Sequence, residues 1–77
     1  MSEFNADTTY SMGIQNGFIK FAGRGVRPLW INPAHVVMVR ARSEHTSWVR
    51  LSVFDVNVMV LGSVDNVLEV IRKAGIA

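Results

Sequence analysis

Only one stretch of this chain has helical periodicity, and it comes last. Val64, Val67, Leu68, Ile71 and Ala74 fall at i, i+3, i+4, i+7 and i+10, a single apolar stripe. Gly62-Ser63 ahead of it supplies a break and an N-cap hydroxyl for the amides of the first turn. Asp65 stands where the helix dipole favours an anion, and Arg72 and Lys73 stand where it favours cations. Glu69 and Lys73 form an i, i+4 pair, and Gly75 is placed as the residue that stops the helix. A helix is therefore expected from Ser63 to Ala74. One helix covers one face of one sheet, and the rest of the chain must be arranged around that limit.

The preceding residues are strand-like. Apolar, β-branched and aromatic runs at 18–22, 28–32, 34–42, 47–54 and 58–61 are separated by turn-rich segments. Pro28 can open a strand but not sit centrally in one, and Asn32-Pro33 marks a turn. Ser43-Glu44-His45-Thr46 is a polar hairpin loop and Asp55-Val56-Asn57 a tight connection. Residues 1–17, rich in Ser, Asn, Asp, Thr and Gln, are expected to be a flexible arm in which Phe4, Tyr10, Met12 and Ile14 are anchors for a neighbour. Residues 18–77 then form a single domain. The fold class expected is α+β: a small antiparallel sheet or partly open barrel of four to five strands, with one C-terminal amphipathic helix.

Size and composition narrow the chemistry. The 77 residues contain no cysteine, which excludes disulfides and thiolate metal sites, and the two histidines, His35 and His45, have no ligand-like spacing. Stability must come from apolar packing, for which 49% hydrophobic content is generous. The surplus points to self-association. No apolar run is long enough to span a membrane, and the polar opening Met1-Ser2-Glu3-Phe4-Asn5 lacks a signal layout, so a cytoplasmic protein is expected. The net charge of +2 is uneven: residues 18–55 hold six bases against two acids.

In the run 47–54, Val49, Leu51 and Val53 alternate with Trp48, Arg50, Ser52 and Phe54. The first set is the expected core under the helix. The second face is not polar, and Trp30 repeats the alternation against Leu29 and Ile31, as Val36 and Met38 do against Val37 and Val39. Trp30, Met38, Trp48 and Phe54 are therefore the expected partner interface. Arg40, Arg42 and Arg50 around Trp48 make a basic, aromatic strip, a candidate nucleic-acid contact. Gly23-Arg24-Gly25 lacks the ending and the helix of a phosphate loop and is read as a turn. His45 beside Glu44, Thr46 and Ser47 lies on a short loop with no third group to orient it, so no catalytic, metal or cofactor residue is assigned and the chain is not expected to be an enzyme.

Phe18-Ile19-Lys20-Phe21, followed by Trp30-Ile31-Asn32-Pro33-Ala34-His35-Val36, resembles the small FlbD-like (SwrD-like) bacterial and phage proteins. Val49-Arg50-Leu51-Ser52, Val58-Met59-Val60-Leu61 and Ser63-Val64-Asp65-Asn66-Val67 fill the later positions of that pattern. The resemblance covers residues 18–75. It implies a non-catalytic accessory protein, cytoplasmic in a bacterium or a phage host. The extra segment 1–17 and Asp55-Val56-Asn57 in place of an Asn/Asp-Gly hairpin favour a phage-type relative over a flagellar one. The function expected is a self-associating protein-interaction module. Its alternatives are a nucleic-acid-binding protein and a virion component with an interlocking arm.

Overall fold

The computed structural model describes residues 7–53 and 55–76. Six strands precede one helix: β1 (Thr9–Gln15), β2 (Phe18–Ala22), β3 (Leu29–Ile31), β4 (Val36–Ala41), β5 (Thr46–Leu51), β6 (Val56–Leu61) and α1 (Val64–Ile76). A 3₁₀ turn, Pro33–His35, leads into β4. The strands form one sheet in the order β3-β2-β1-β6-β5-β4. Two antiparallel three-stranded meanders lie side by side, and β1 and β6 join them in parallel, with Thr9 opposite Met59 and Tyr10 opposite Val60. The sheet is therefore mixed, six-stranded and open, where four or five antiparallel strands or a partial barrel were expected.

The additional strand comes from the expected arm. Residues 9–15 are β1, in the middle of the sheet, while residues 1–6, including Phe4, lie outside the described residues. Asn16 and Gly17 close the β1–β2 hairpin with φ of 53° and 80°. Two successive positive φ values are what a type I′ turn requires, and Asn-Gly is the pair that meets it most cheaply. Gln15 then pairs with Phe18, and the register places Tyr10, Met12 and Ile14 on the face that carries Ile19 and Phe21.

The link between the two edge strands shapes the whole sheet. β3 and β4 are joined only through residues 32–35, which reach at most about 18 Å from Ile31 to Val36. A flat sheet would separate those strands by five steps of about 4.8 Å, about 24 Å. The sheet must curl. Its concave side holds Tyr10, Ile19, Phe21, Ile31, Val49, Leu51, Val58 and Val60, and α1 packs there with Val67 and Ala74 buried. Ser47 is the buried polar side chain on this side, and its hydroxyl donates to the Gly62 carbonyl at 2.9 Å.

Several local expectations change for physical reasons. The helix starts as its cap requires, with the Asn66 amide donating to Ser63 Oγ at 3.3 Å. It runs on through Gly75, which is absent from the positive-φ glycines and so does not stop it. Leu68 of the expected stripe is 48% exposed, and Val70 packs on the core in its place. β5 ends at Leu51, so Val53 falls in the turn and is 47% exposed. A bulge between Val36 and Met38 breaks the alternation of β4 and puts both Val36 and Val39 against the core. Val37, the extra residue, faces out.

On the outer surface of α1, Glu69 accepts from Arg72 through both carboxylate oxygens, at 2.5 and 3.2 Å, with Lys73 at 3.8 Å. The hydrogen bond from Arg72, ahead of its charge and that of Lys73, holds the Glu69 carboxyl below its ordinary value. A lowered folded value stabilises the fold above the ordinary carboxylate range and loses that contribution as pH falls through the folded value. Glu69→Gln is expected to flatten the acid limb of a melting-temperature-against-pH profile, with little change at neutral pH because the pair is exposed.

Candidate interaction surface

The helix packs on the concave side, and among the described residues no further element covers the convex face of the sheet. Register assigns its side chains: Trp30 on β3; Phe18, Lys20 and Ala22 on β2; Thr9, Ser11, Gly13 and Gln15 on β1. It continues with Asn57, Met59 and Leu61 on β6, Thr46, Trp48 and Arg50 on β5, and Met38 and Arg40 on β4. Trp30, Met38 and Trp48 do share one face, as the alternation requires. Phe54 lies outside the described residues.

They do not form one patch. Trp30 and Trp48 are separated by β2, β1 and β6, four inter-strand steps or about 19 Å along a curved surface that aims them apart. The floor between them consists of small or polar side chains: Thr9, Ser11, Gly13 and Ala22. The convex face therefore divides in two. Its β4–β5–β6 half carries an apolar cluster among the polar Thr46, Arg50 and Asn57: Trp48 flanked by its register partners Arg40 and Met59, Met38 40% exposed beside them and Leu61 56% exposed beyond. Its β2–β3 half carries Trp30, Lys20 and Phe18, with Gln15 of β1 beside them. Sequence reasoning missed Met59 and Leu61, although their alternation with Val56, Val58 and Val60 is visible in the chain.

The expected basic strip is partly committed elsewhere. Arg50 is ion-paired to Asp55, which sits in the β5–β6 turn with φ of 50°. The pair holds the turn. Arg42 belongs to the hairpin: its amide donates to the Thr46 carbonyl at 3.0 Å and its guanidinium reaches Thr46 Oγ1 at 3.5 Å. Arg40, opposite Trp48, has no ion pair among the described residues.

The histidines have structural duties. His45 offers its carbonyl to the Gly62 amide at 2.6 Å, tying the hairpin to the start of α1. His35 is the last residue of the 3₁₀ turn, which Asn32 and Val36 cap, and its carbonyl accepts from the Ser52 amide at 2.9 Å and from the Ser52 hydroxyl at 3.3 Å. His35 Nδ1 lies 3.3 Å from that same hydroxyl. Both hydroxyl contacts are 3.3 Å long, and the His35 ring donates or accepts there according to its tautomer; together they tie the 3₁₀ turn to the end of β5. A shallow cleft of about 450 Å³ at the C-terminal end of α1 is lined by Asn32, Pro33, Ala34, Ile71, Arg72, Gly75 and Ile76. Its one charged group, Arg72, is already held by Glu69.

Among the described residues no helix is long and apolar enough to cross a membrane, and no cluster of three or more His, Asp or Glu could hold a metal ion. No protein-family model, curated protein or solved structure matches the chain.

Proposed function

We propose that the protein is a non-catalytic interaction module, cytoplasmic and of bacterial or phage type, that self-associates through the β4–β5–β6 half of its convex face. The observation that carries this reading is the cluster Met38, Trp48, Met59 and Leu61, which the single α-helix among the described residues leaves uncovered. Aromatic and methionine side chains backed by a rigid sheet are the usual composition of an interface core. The sheet edges are poorer candidates. β3 has three residues and follows Pro28, while β4 carries a bulge and Arg40, all features that discourage edge pairing. The patch region holds Arg40, Arg42 and Arg50 against Glu44 and Asp55, charges of both signs, so two copies facing each other meet no one-signed field. The resemblance to FlbD-like proteins supports the same class of function, a small accessory protein without catalytic residues.

Light scattering coupled to size exclusion tests it. The wild-type protein is expected to elute above the protomer mass. Trp48→Ala should weaken association by about 2 kcal/mol, roughly thirtyfold. Met59→Glu should yield monomer with unchanged far-UV circular dichroism. A wild-type protein that stays monomeric at high concentration, or a Met59→Glu variant that assembles like wild type, removes the reading.

A further inference from the structure

We infer that the β2–β3 end of the convex face is a stacking station for single-stranded nucleic acid, with a base on Trp30 and the adjoining phosphates on Lys20, Arg24 and Arg27. This site is separate from the self-association patch and does not depend on it. Trp30 is 45% exposed, yet it is held in place. Its indole N–H donates to Gln15 Oε1 at 2.9 Å, and the ammonium of Lys20, its register partner, stands 5.5 Å from the ring centroid. The polar edge of the indole is thus satisfied within the chain, and what remains on offer is ring surface already fixed in orientation. A platform that needs no ordering on binding keeps more of the stacking energy.

Charge decides the kind of partner. Lys20, Arg24 and Arg27 have no ion pair among the described residues, and the 23–27 loop that carries the two arginines runs directly into the strand bearing Trp30. One cation over a fixed aromatic ring, with two more in the loop that leads to its strand and none of the three ion-paired among the described residues, fits a polyanion that also presents flat rings. Phe18, on the same face and diagonal to Trp30 at about 7–8 Å, offers a second ring. Bases in a duplex are stacked on one another and cannot reach such a surface, so the strand must be single. The Lys20 contact does not block the site. An exposed cation–π contact is worth only about as much as the weakest stacking, so a base can displace the ammonium, which then meets the phosphate.

Fluorescence anisotropy with a labelled oligothymidylate provides the test. Binding is expected at low salt, with log K falling by about 0.7 per phosphate contact for each unit of log salt, so a slope near −2 for three contacts. Trp30→Ala should weaken binding about tenfold to a hundredfold, and Trp30→Phe should restore most of it. Neither variant should change the melting temperature by more than a few degrees or alter the light-scattering mass, because Trp30 lies on the edge strand away from Trp48. The triple change Lys20→Gln, Arg24→Gln, Arg27→Gln should flatten the salt slope. Absence of binding at low salt overturns the inference. So does equal binding by wild type and Trp30→Ala, or inorganic polyphosphate competing as well as the oligonucleotide at equal phosphate, since either would mean charge without stacking. Loss of self-association in Trp48→Ala with oligonucleotide binding intact would leave this site standing, and the reverse result would leave the other.

Discussion

Tyr10→Ala is expected to unfold the domain or bring it to the edge of unfolding. Tyr10 is the largest fully buried side chain among the described residues, 1% exposed at the seam where β1 meets β6. Its ring fills the space over Gly23, where an added Cβ would lie 3.0 Å from Cδ1 and Cε1. Truncating an aromatic residue in such a site costs about 3–5 kcal/mol. A 77-residue domain has a total of about 4–12 kcal/mol to lose. Urea denaturation should show the midpoint collapsing toward zero denaturant, with no folded baseline at the lower end of that range. Deleting residues 2–16 should go further, because it removes the strand that joins the two meanders. A truncated protein that kept its far-UV spectrum and a cooperative melt would show that β1 is an appendage after all.

The chain announced β1 more clearly than its polar composition suggests. Tyr10, Met12 and Ile14 alternate with Ser11 and Gly13 at the strand period, and Asn16-Gly17 follows at once. Taken together they spell a hairpin into Phe18; taken by composition alone they look like a disordered arm. Composition misleads here because the polar residues of β1 face the convex side, where Thr9, Ser11 and Gln15 meet solvent or Trp30. The five later strands were legible within a few residues, since β-branched and aromatic runs between Gly, Pro and Asn leave little else to build.

The candidate surface was legible as a list and illegible as a shape. Alternation alone placed Trp30, Met38 and Trp48 on one face. Their separation depends on strand order, which rests on a parallel pairing between the first and last strands that no local pattern encodes. The same holds for Arg50. Its neighbour in space is Asp55 because a residue in the left-handed region turns the chain back, and the pairing takes one guanidinium out of the expected basic strip.

The helix gives the second large effect, and it separates two descriptions of the same stripe. Val67→Asp should abolish cooperative folding, whereas Leu68→Asp should shift stability by only about 0.5 kcal/mol. At about 100° per residue, Val64, Val67, Ile71 and Ala74 cluster within roughly 80° of one another around the axis, while Leu68 lies about 80° from their centre. Periodicity admits Leu68 because it is aliphatic; packing leaves it at the border, half in water. Val67 is 2% exposed among the side chains of the concave core, so an aspartate there would be a buried charge with no partner, costing several kcal/mol. Chemical denaturation of the two variants side by side decides the matter. Equal destabilisation would return the stripe to Leu68 and place the helix a quarter-turn away from its present seat. The contrast expected here fixes α1 over Tyr10, Phe21 and Leu51, and so fixes which face of the sheet is spent on folding. Of the two sheet faces the convex one then remains for partners, with Trp48 at one end and Trp30 at the other.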